Sequence, residues 1–314
     1  MRRARSVRTR PPGGPSHTAW NARGRTLLDR RGDPAAAGGG PSRGAVTLAA
    51  VTDDALFVPD GDAFVATEHT RGPWDPLAQH GGPVAALLAR AVESVATPVP
   101  MAVVRLSVEL FRPVPLQRLF VSAGVIRPGR RVQVVEARLR DDGGVELSRA
   151  TALLIREGSL TIPDSPPGPL PPPLPTRAQP SNESADAAFH LTGVEMRFAA
   201  GSFERPGPST VWMRLRRPVV AGEEPSPLMR VAAAADFGNG VSAPIDWQRF
   251  LFINPDLTIH LHRQPEGEWI CLDARTDIDP GGRGLAQSAL FDARGAIGRS
   301  LQSLLVEARG SILR

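Results

Sequence analysis

The sequence predicts an α+β protein in which one unit, a long helix packed on an antiparallel sheet, occurs twice. Three observations predict it. Leu106-Ser107-Val108-Glu109-Leu110-Phe111-Arg112 is echoed by Leu257-Thr258-Ile259-His260-Leu261-His262-Arg263, always 151 positions later. Asp141, Gly144, Leu153 and Leu154 are echoed at the same spacing by Asp292, Gly295, Leu304 and Leu305. A period this long marks duplication of whole domains and not a solenoid. Finally, nine prolines within residues 163–180 supply an extended linker between the copies. A chain of 314 residues suits two domains of ordinary size. The expected layout is a tail over 1–50, a first domain over 52–160, a linker over 161–184 and a second domain over 185–310.

The elements follow in order. Segment 1–45 is rich in Arg, Gly and Pro with no apolar period, and is expected to be disordered. Val84, Leu87, Leu88, Ala91, Val92 and Val95 then fall on one helical face, just after Gly81-Gly82-Pro83. Val104, Leu106, Val108 and Leu110 alternate with polar neighbours, the period of a half-buried strand. Further alternating runs near 118–126 and 131–140 lead to the turn signal Asp142-Gly143-Gly144, and a last run spans 145–155. In the second copy, strand-like runs near 193–199 and 210–217 precede a helical patch from Leu228 to Asp236. Strands are expected at 256–263, 268–277, 284–292 and 296–306.

Composition narrows the chemistry. All 37 basic residues are Arg and there is no Tyr, which removes Schiff-base Lys, Walker-type Lys and Tyr acid/base mechanisms. The formal charge of +5 is concentrated in residues 1–50, which hold 10 Arg against 2 Asp and leave the rest at −3. No nucleic-acid or membrane partner is expected of a net-negative body, which lacks a broad attractive field. The N-terminus has no apolar stretch behind Arg2-Arg3 and no run of 18 apolar residues occurs, so a cytoplasmic location is the default expectation. The lone Cys271 corresponds to Phe120 in the first copy and reads as a core residue.

Gly81-Gly82 opening an apolar helix, a strand ending in Phe111-Arg112-Pro113, its partner ending in His262-Arg263, and Ala235-Asp236-Phe237 in the second helix together resemble the acyl-CoA thioesterase II family. The resemblance covers about 52–308. It implies a tandem (double) hotdog fold and hydrolysis of a fatty acyl-CoA by a water held on an Asp, a Gln and a Thr or Ser. The Asp falls on Asp236 and the Gln on Gln302. The hydroxyl position falls on Asn254, whose amide still offers a donor and an acceptor. The resemblance also implies a homo-oligomer associating through its sheets. No cofactor is expected, because water addition to a thioester carbonyl asks only for a base and oxyanion donors.

The residues bear weighing on their own. Asp236 follows four alanines and precedes Gly238-Asn239-Gly240, so it sits near a helix C-terminus, a placement unfavourable by about 0.3–1 kcal/mol. Something must offset that. Subtracting the repeat from Asp236, Asn254 and Gln302 gives Ala85, Val103 and Thr151, so only the second copy holds the polar set. Gly81 and Gly82 could present free N–H groups to a thioester carbonyl, or could simply permit close packing. His80 beside them is a candidate substrate contact or a structural histidine. His260 and His262 share a strand face, yet their counterparts Glu109 and Phe111 carry no metal logic. Gly238-Asn239-Gly240 follows a helix and not a strand, which fails the dinucleotide context. Three rivals remain: a non-catalytic acyl-CoA-binding protein; an enoyl-CoA hydratase, which wants an Asp/His pair that the sequence does not display; and a nucleic-acid-associated protein, which rests only on the Arg-rich residues 1–50.

Overall fold

The computed structural model describes residues 54–162, 168–177 and 187–309. The tail expected over 1–50 lies outside them. β1 (Phe57–Asp60), β2 (Ala63–Ala66), α1 (Gly81–Glu93), β3 (Met101–Leu110), β4 (Arg118–Arg127), β5 (Val132–Asp141) and β6 (Glu146–Arg156) come first. Then follow β7 (Val194–Ser202), β8 (Arg205–Leu215), α2 (Pro227–Ala235), α3 (Gly238–Val241), β9 (Phe250–Ile253), β10 (Asp256–Leu261), β11 (Ile270–Asp279), β12 (Arg283–Asp292) and β13 (Gly295–Ala308). Between them, residues 168–177 form neither helix nor strand. They lie against the second copy, where the Pro175 carbonyl accepts from Arg197 at 3.1 Å.

The strands build one antiparallel sheet in the order β1-β2-β4-β5-β6-β3-β10-β13-β12-β11-β8-β7, with β9 added to β13. The N-terminal and C-terminal halves join edge to edge through β3 and β10. Ser107 lies opposite Thr258 there, their hydroxyls 3.3 Å apart, so residues related by the repeat meet each other. Farther out the register slips. Thr151 lies opposite Ser107 whereas Leu301 lies opposite Thr258. Structural equivalents on β6 and β13 are therefore 150 apart, and Gln302 corresponds to Ala152, not to Thr151. A one-residue slip exchanges the faces of a strand, which is why the distinction matters.

α1 is buried on nearly every side, from Gly82 to Ala89 without a break. That is the signature of an interior helix, and hiding Leu87 and Leu88 contributes about 1.5–3 kcal/mol each. α2 has the expected length, nine residues, and starts one residue earlier than expected. Ser226 caps it by accepting from the Met229 N–H at 3.1 Å, and Pro227 opens its first turn. The helices run antiparallel in contact: Gly82 abuts the Ala233 carbonyl, and at the other end Ser226 bonds Glu93 at 2.5 Å. Aligning the helix caps His80 and Ser226 corrects a second correspondence. The counterpart of Asp236 is Arg90 and not Ala85. Arg90 makes two 2.5 Å hydrogen bonds to Glu223, so an ion pair occupies that end of the helix pair. The strand order also differs from a helix-first plan, because β1 and β2 precede α1.

Candidate active site

Asp236 is the C-cap of α2, where the chain turns into α3, and it is 3 % exposed. Four elements converge on it. Asn254, between β9 and β10, donates from Nδ2 to Oδ1 at 2.8 Å. Gln302, facing inward from β13, donates from Nε2 to the Asp236 carbonyl at 3.1 Å and to Oδ1 at 3.3 Å. His80, the N-cap of α1, places Nδ1 2.9 Å from Oδ2. Asn239, from α3, donates its backbone N–H to Gln302 Oε1 at 3.0 Å and its amide to the Phe252 carbonyl at 3.1 Å. The expected catalytic and substrate-binding residues, Asp236, Asn254, Gln302, His80, Gly81 and Gly82, are brought together here.

The unfavourable helix end is offset from the first copy. The carboxylate lies against the opening turn of α1, whose N-terminus favours negative charge, while two side-chain amides donate to it. Glycine makes the approach possible. A Cβ on Gly81 would stand 2.7 Å from Asp236 Oδ2, and one on Gly82 would stand 2.6 Å from the Ala233 carbonyl. The Gly82 N–H is directed at His80 Nδ1, at 3.1 Å. Gly81→Ala should accordingly displace the carboxylate. A loss of about 100-fold in kcat is expected for such a misplacement, with the fold retained by circular dichroism. A fully active Gly81→Ala enzyme would show that the carboxylate does not matter.

His80 alters two sequence readings. It pairs directly with Asp236, so it is not confined to touching substrate, and the Asp/His pair that the sequence did not display exists across 156 positions. Nδ1 can donate to the carboxylate or accept from the Gly82 N–H, but cannot do both at once. The His80 ring packs 4.5 Å from Phe237 and 5.2 Å from Phe189, centroid to centroid. Sequence reasoning also missed His190, which has no periodic or motif signal. Burial, with His80 nearby, pushes its pKa down to about 4, so it is neutral at pH 7. Cys271 is fully buried, and that burial pushes its thiol up to about 12, which excludes a thiolate nucleophile.

A crevice too narrow for water runs between Val194 and Met213 on one side and Ala233 and Ala234 on the other, beneath the helix that ends at Asp236. An open cavity of about 430 Å³ lies at the opposite end of α2, among Arg216, Arg217, Glu223, Glu224, Arg230 and Glu268. Its lining is charged, and it is remote from the amide and carboxylate groups that could act on a carbonyl.

The acyl-CoA thioesterase N-terminal domain matches residues 70–155, and the acyl-CoA thioesterase C-terminal domain matches residues 164–306. The chain belongs to the acyl-CoA thioesterase family. It is a thioester hydrolase, and Asp236, Asn254 and Gln302 lie in the stretch matched by the C-terminal domain. No curated protein matches the sequence significantly. Among solved structures, a protein from Thermobifida fusca YX provisionally named thioesterase II is 21% identical with a TM-score of 0.63, covering 82% of this chain and 96% of its own. A conserved protein of unknown function with the hot dog fold, from Alicyclobacillus acidocaldarius, is 18% identical with a TM-score of 0.61, covering 82% and 97%. Acyl-CoA thioesterase II TesB2 from Mycobacterium marinum is 17% identical with a TM-score of 0.55, covering 80% and 95%. At these identities the likeness establishes the hotdog type of fold. Among the described residues no helix is long and apolar enough to cross a membrane.

Proposed function

We propose that the enzyme hydrolyses acyl-CoA to free fatty acid and CoA, with Asp236 as the base that takes a proton from the attacking water. The domains would be two hotdogs in tandem, over 52–160 and 185–310, with the linker at 161–184. The observation that carries this reading is the buried Asp236 carboxylate, held by three side chains at the joint between α2 and α1. Asn254 and Gln302 spend their amide hydrogens on Asp236 and its neighbours, so they serve to fix the carboxylate and not to hold the water directly. Water then takes the remaining lone pair on Oδ2 beside His80. Gly81 at the head of α1 supplies an N–H and a helix N-terminus toward the developing oxyanion. The acyl chain follows the crevice under α2, which must open to admit it.

The departure at Asn254 becomes testable. Asn254→Ala removes a hydrogen bond to a charged group, and about a 10–100-fold fall in kcat is expected. Asn254→Thr should recover part of that loss, because a hydroxyl also donates. Thiol release from a panel of acyl-CoAs measures both, and an unchanged rate in Asn254→Ala would remove this residue from the site. The Asp236–His80 pair favours one further reading, addition of water to an enoyl-CoA. Loss of enoyl absorbance without thiol release would select it over hydrolysis.

A further inference from the structure

The proline segment and the sheet beside it match in position and in length. Arg197, Trp212, Cys271, Phe291 and Ala296 stand directly opposite one another across β7, β8, β11, β12 and β13, so they form one row on one face of the sheet. Their chain neighbours Met196, Val211, Met213, Leu272, Leu290 and Ile297 point the other way, into the main core with the helices. The row therefore lies on the outer face, and Trp212, Cys271 and Phe291 make a separate apolar cluster there. Trp212 is 1% exposed and Cys271 is fully buried, although the helices pack against the opposite face. At one end of the row, Gly295 comes so near the Pro169 carbonyl that a Cβ would stand 3.2 Å from its oxygen. At the other end, the Pro175 carbonyl accepts from Arg197 at 3.1 Å. From β13 to β7 is four strand spacings, about 19 Å. Six residues of polyproline helix, from Pro169 to Pro175, also span about 19 Å.

We infer that residues 169–175 are a polyproline strap seated along this row, and that the strap keeps the outer face of the C-terminal half from becoming a contact between copies of the chain. Proline suits the position. It has no N–H to leave unpaired on a sheet whose ladder bonds are already made, and each X–Pro step holds the preceding residue extended. Pro172 and Pro175, one polyproline turn apart, are partly buried, while Leu170 is 85% exposed. The segment thus sets prolines against the sheet and turns this leucine to water. Trp269 packs against the row and carries Arg197 and Arg214 over its ring at 4.6 and 5.0 Å, which completes an aromatic seat of the kind that polyproline segments occupy. The N-terminal half offers the comparison. There Ala63, Phe120 and Arg140 stand opposite one another as Trp212, Cys271 and Phe291 do, and the Arg118 guanidinium lies over the Phe120 ring. A small and a charged residue flank the ring in that half. In the C-terminal half the same three places are all apolar, a row that would mark an association site if uncovered.

Cys271 is the only cysteine in the chain, so its modification by a maleimide reports the cover directly. In the wild type this thiol should react slowly. In Pro171→Gly/Pro172→Gly/Pro175→Gly it should react at least tenfold faster, because a loosened strap opens locally at little cost. The same variant should form concentration-dependent assemblies larger than those of the wild type in sedimentation. A synthetic peptide of residues 168–177, added in excess, should restore protection and reverse the assembly. Unchanged protection of Cys271 in a triple variant that retains its circular dichroism spectrum would overturn the strap. Should that variant lose its spectrum, Arg197→Gln decides in its place, since it removes the Pro175 anchor from the sheet side and leaves the linker unaltered. Exposure of Cys271 with no change in assembly would overturn the strap's part in keeping copies apart, and rapid modification of the wild type would overturn both statements.

Discussion

Asp236→Asn is expected to lower kcat for acyl-CoA hydrolysis by about 10²–10⁴-fold, the usual contribution of a general base, with KM changed by no more than a few-fold. The substitution isolates chemistry from folding for a structural reason. An asparagine oxygen can still accept from Asn254 and Gln302, while its amide nitrogen turns toward His80 Nδ1, which can accept. The bonds from Asn254 and Gln302 survive and the negative charge and basic lone pair are lost, while the new amide competes with the Gly82 N–H for the single lone pair on His80 Nδ1. The melting temperature should therefore stay near that of the wild type. Thiol release measured over a panel of chain lengths gives the result, and a variant retaining more than a tenth of wild-type kcat would assign the proton transfer elsewhere. The proton transfer would then fall to His80, the other basic side chain at the carboxylate.

The long elements were legible in the sequence because their periods are long enough to register. α1, β3, β5, β12 and α2 fall within a few residues of the expected spans, each with alternating or helical apolar spacing over nine or more residues. β1, β2 and β9 were not legible, as four residues carry too little period to distinguish from a loop. Asp236, Asn254 and Gln302 were reached through the resemblance, and the oddity of a carboxylate at a helix C-terminus was visible unaided. What offsets it was hidden, because α1 and α2 are neighbours only in the folded chain. The same applies to the role of Gly81: a missing Cβ states that something comes close, but not that it is Asp236. The repeat itself misled by one residue on β13 and five on the helix. The connections between corresponding elements differ in length, so no single offset aligns the two halves along their whole length.

Replacing Asp292 should be costly to stability. It is fully buried at the β12–β13 turn, where Arg263 grips it with two hydrogen bonds of 2.5 Å, and the N–H groups of Glu266 and Arg294 add bonds of 2.9 and 2.8 Å. Arg263 further donates to the carbonyls of Gly295 and Ala296. Among the described residues the Asp141 side chain makes only the local turn bond from the Val145 N–H, so the clamp belongs to the C-terminal half. Asp292→Ala leaves a partly buried guanidinium without its anion, and about 3–5 kcal/mol of destabilisation is expected from denaturant unfolding. The pH dependence has a definite sign. Burial alone would raise the Asp292 pKa, but the hydrogen bonds from Arg263 and from the two backbone N–H groups outweigh it and hold the carboxyl below its usual range. A depressed folded pKa means that this contribution is complete above the unfolded value, about 4, and is lost as pH falls through the folded value. The stability gap between wild type and Asp292→Asn should consequently be constant from pH 7 to pH 5 and close progressively below about 4. A gap that persists unchanged in acid would mean that Asp292 acts through shape and neutral hydrogen bonds, with its charge contributing nothing.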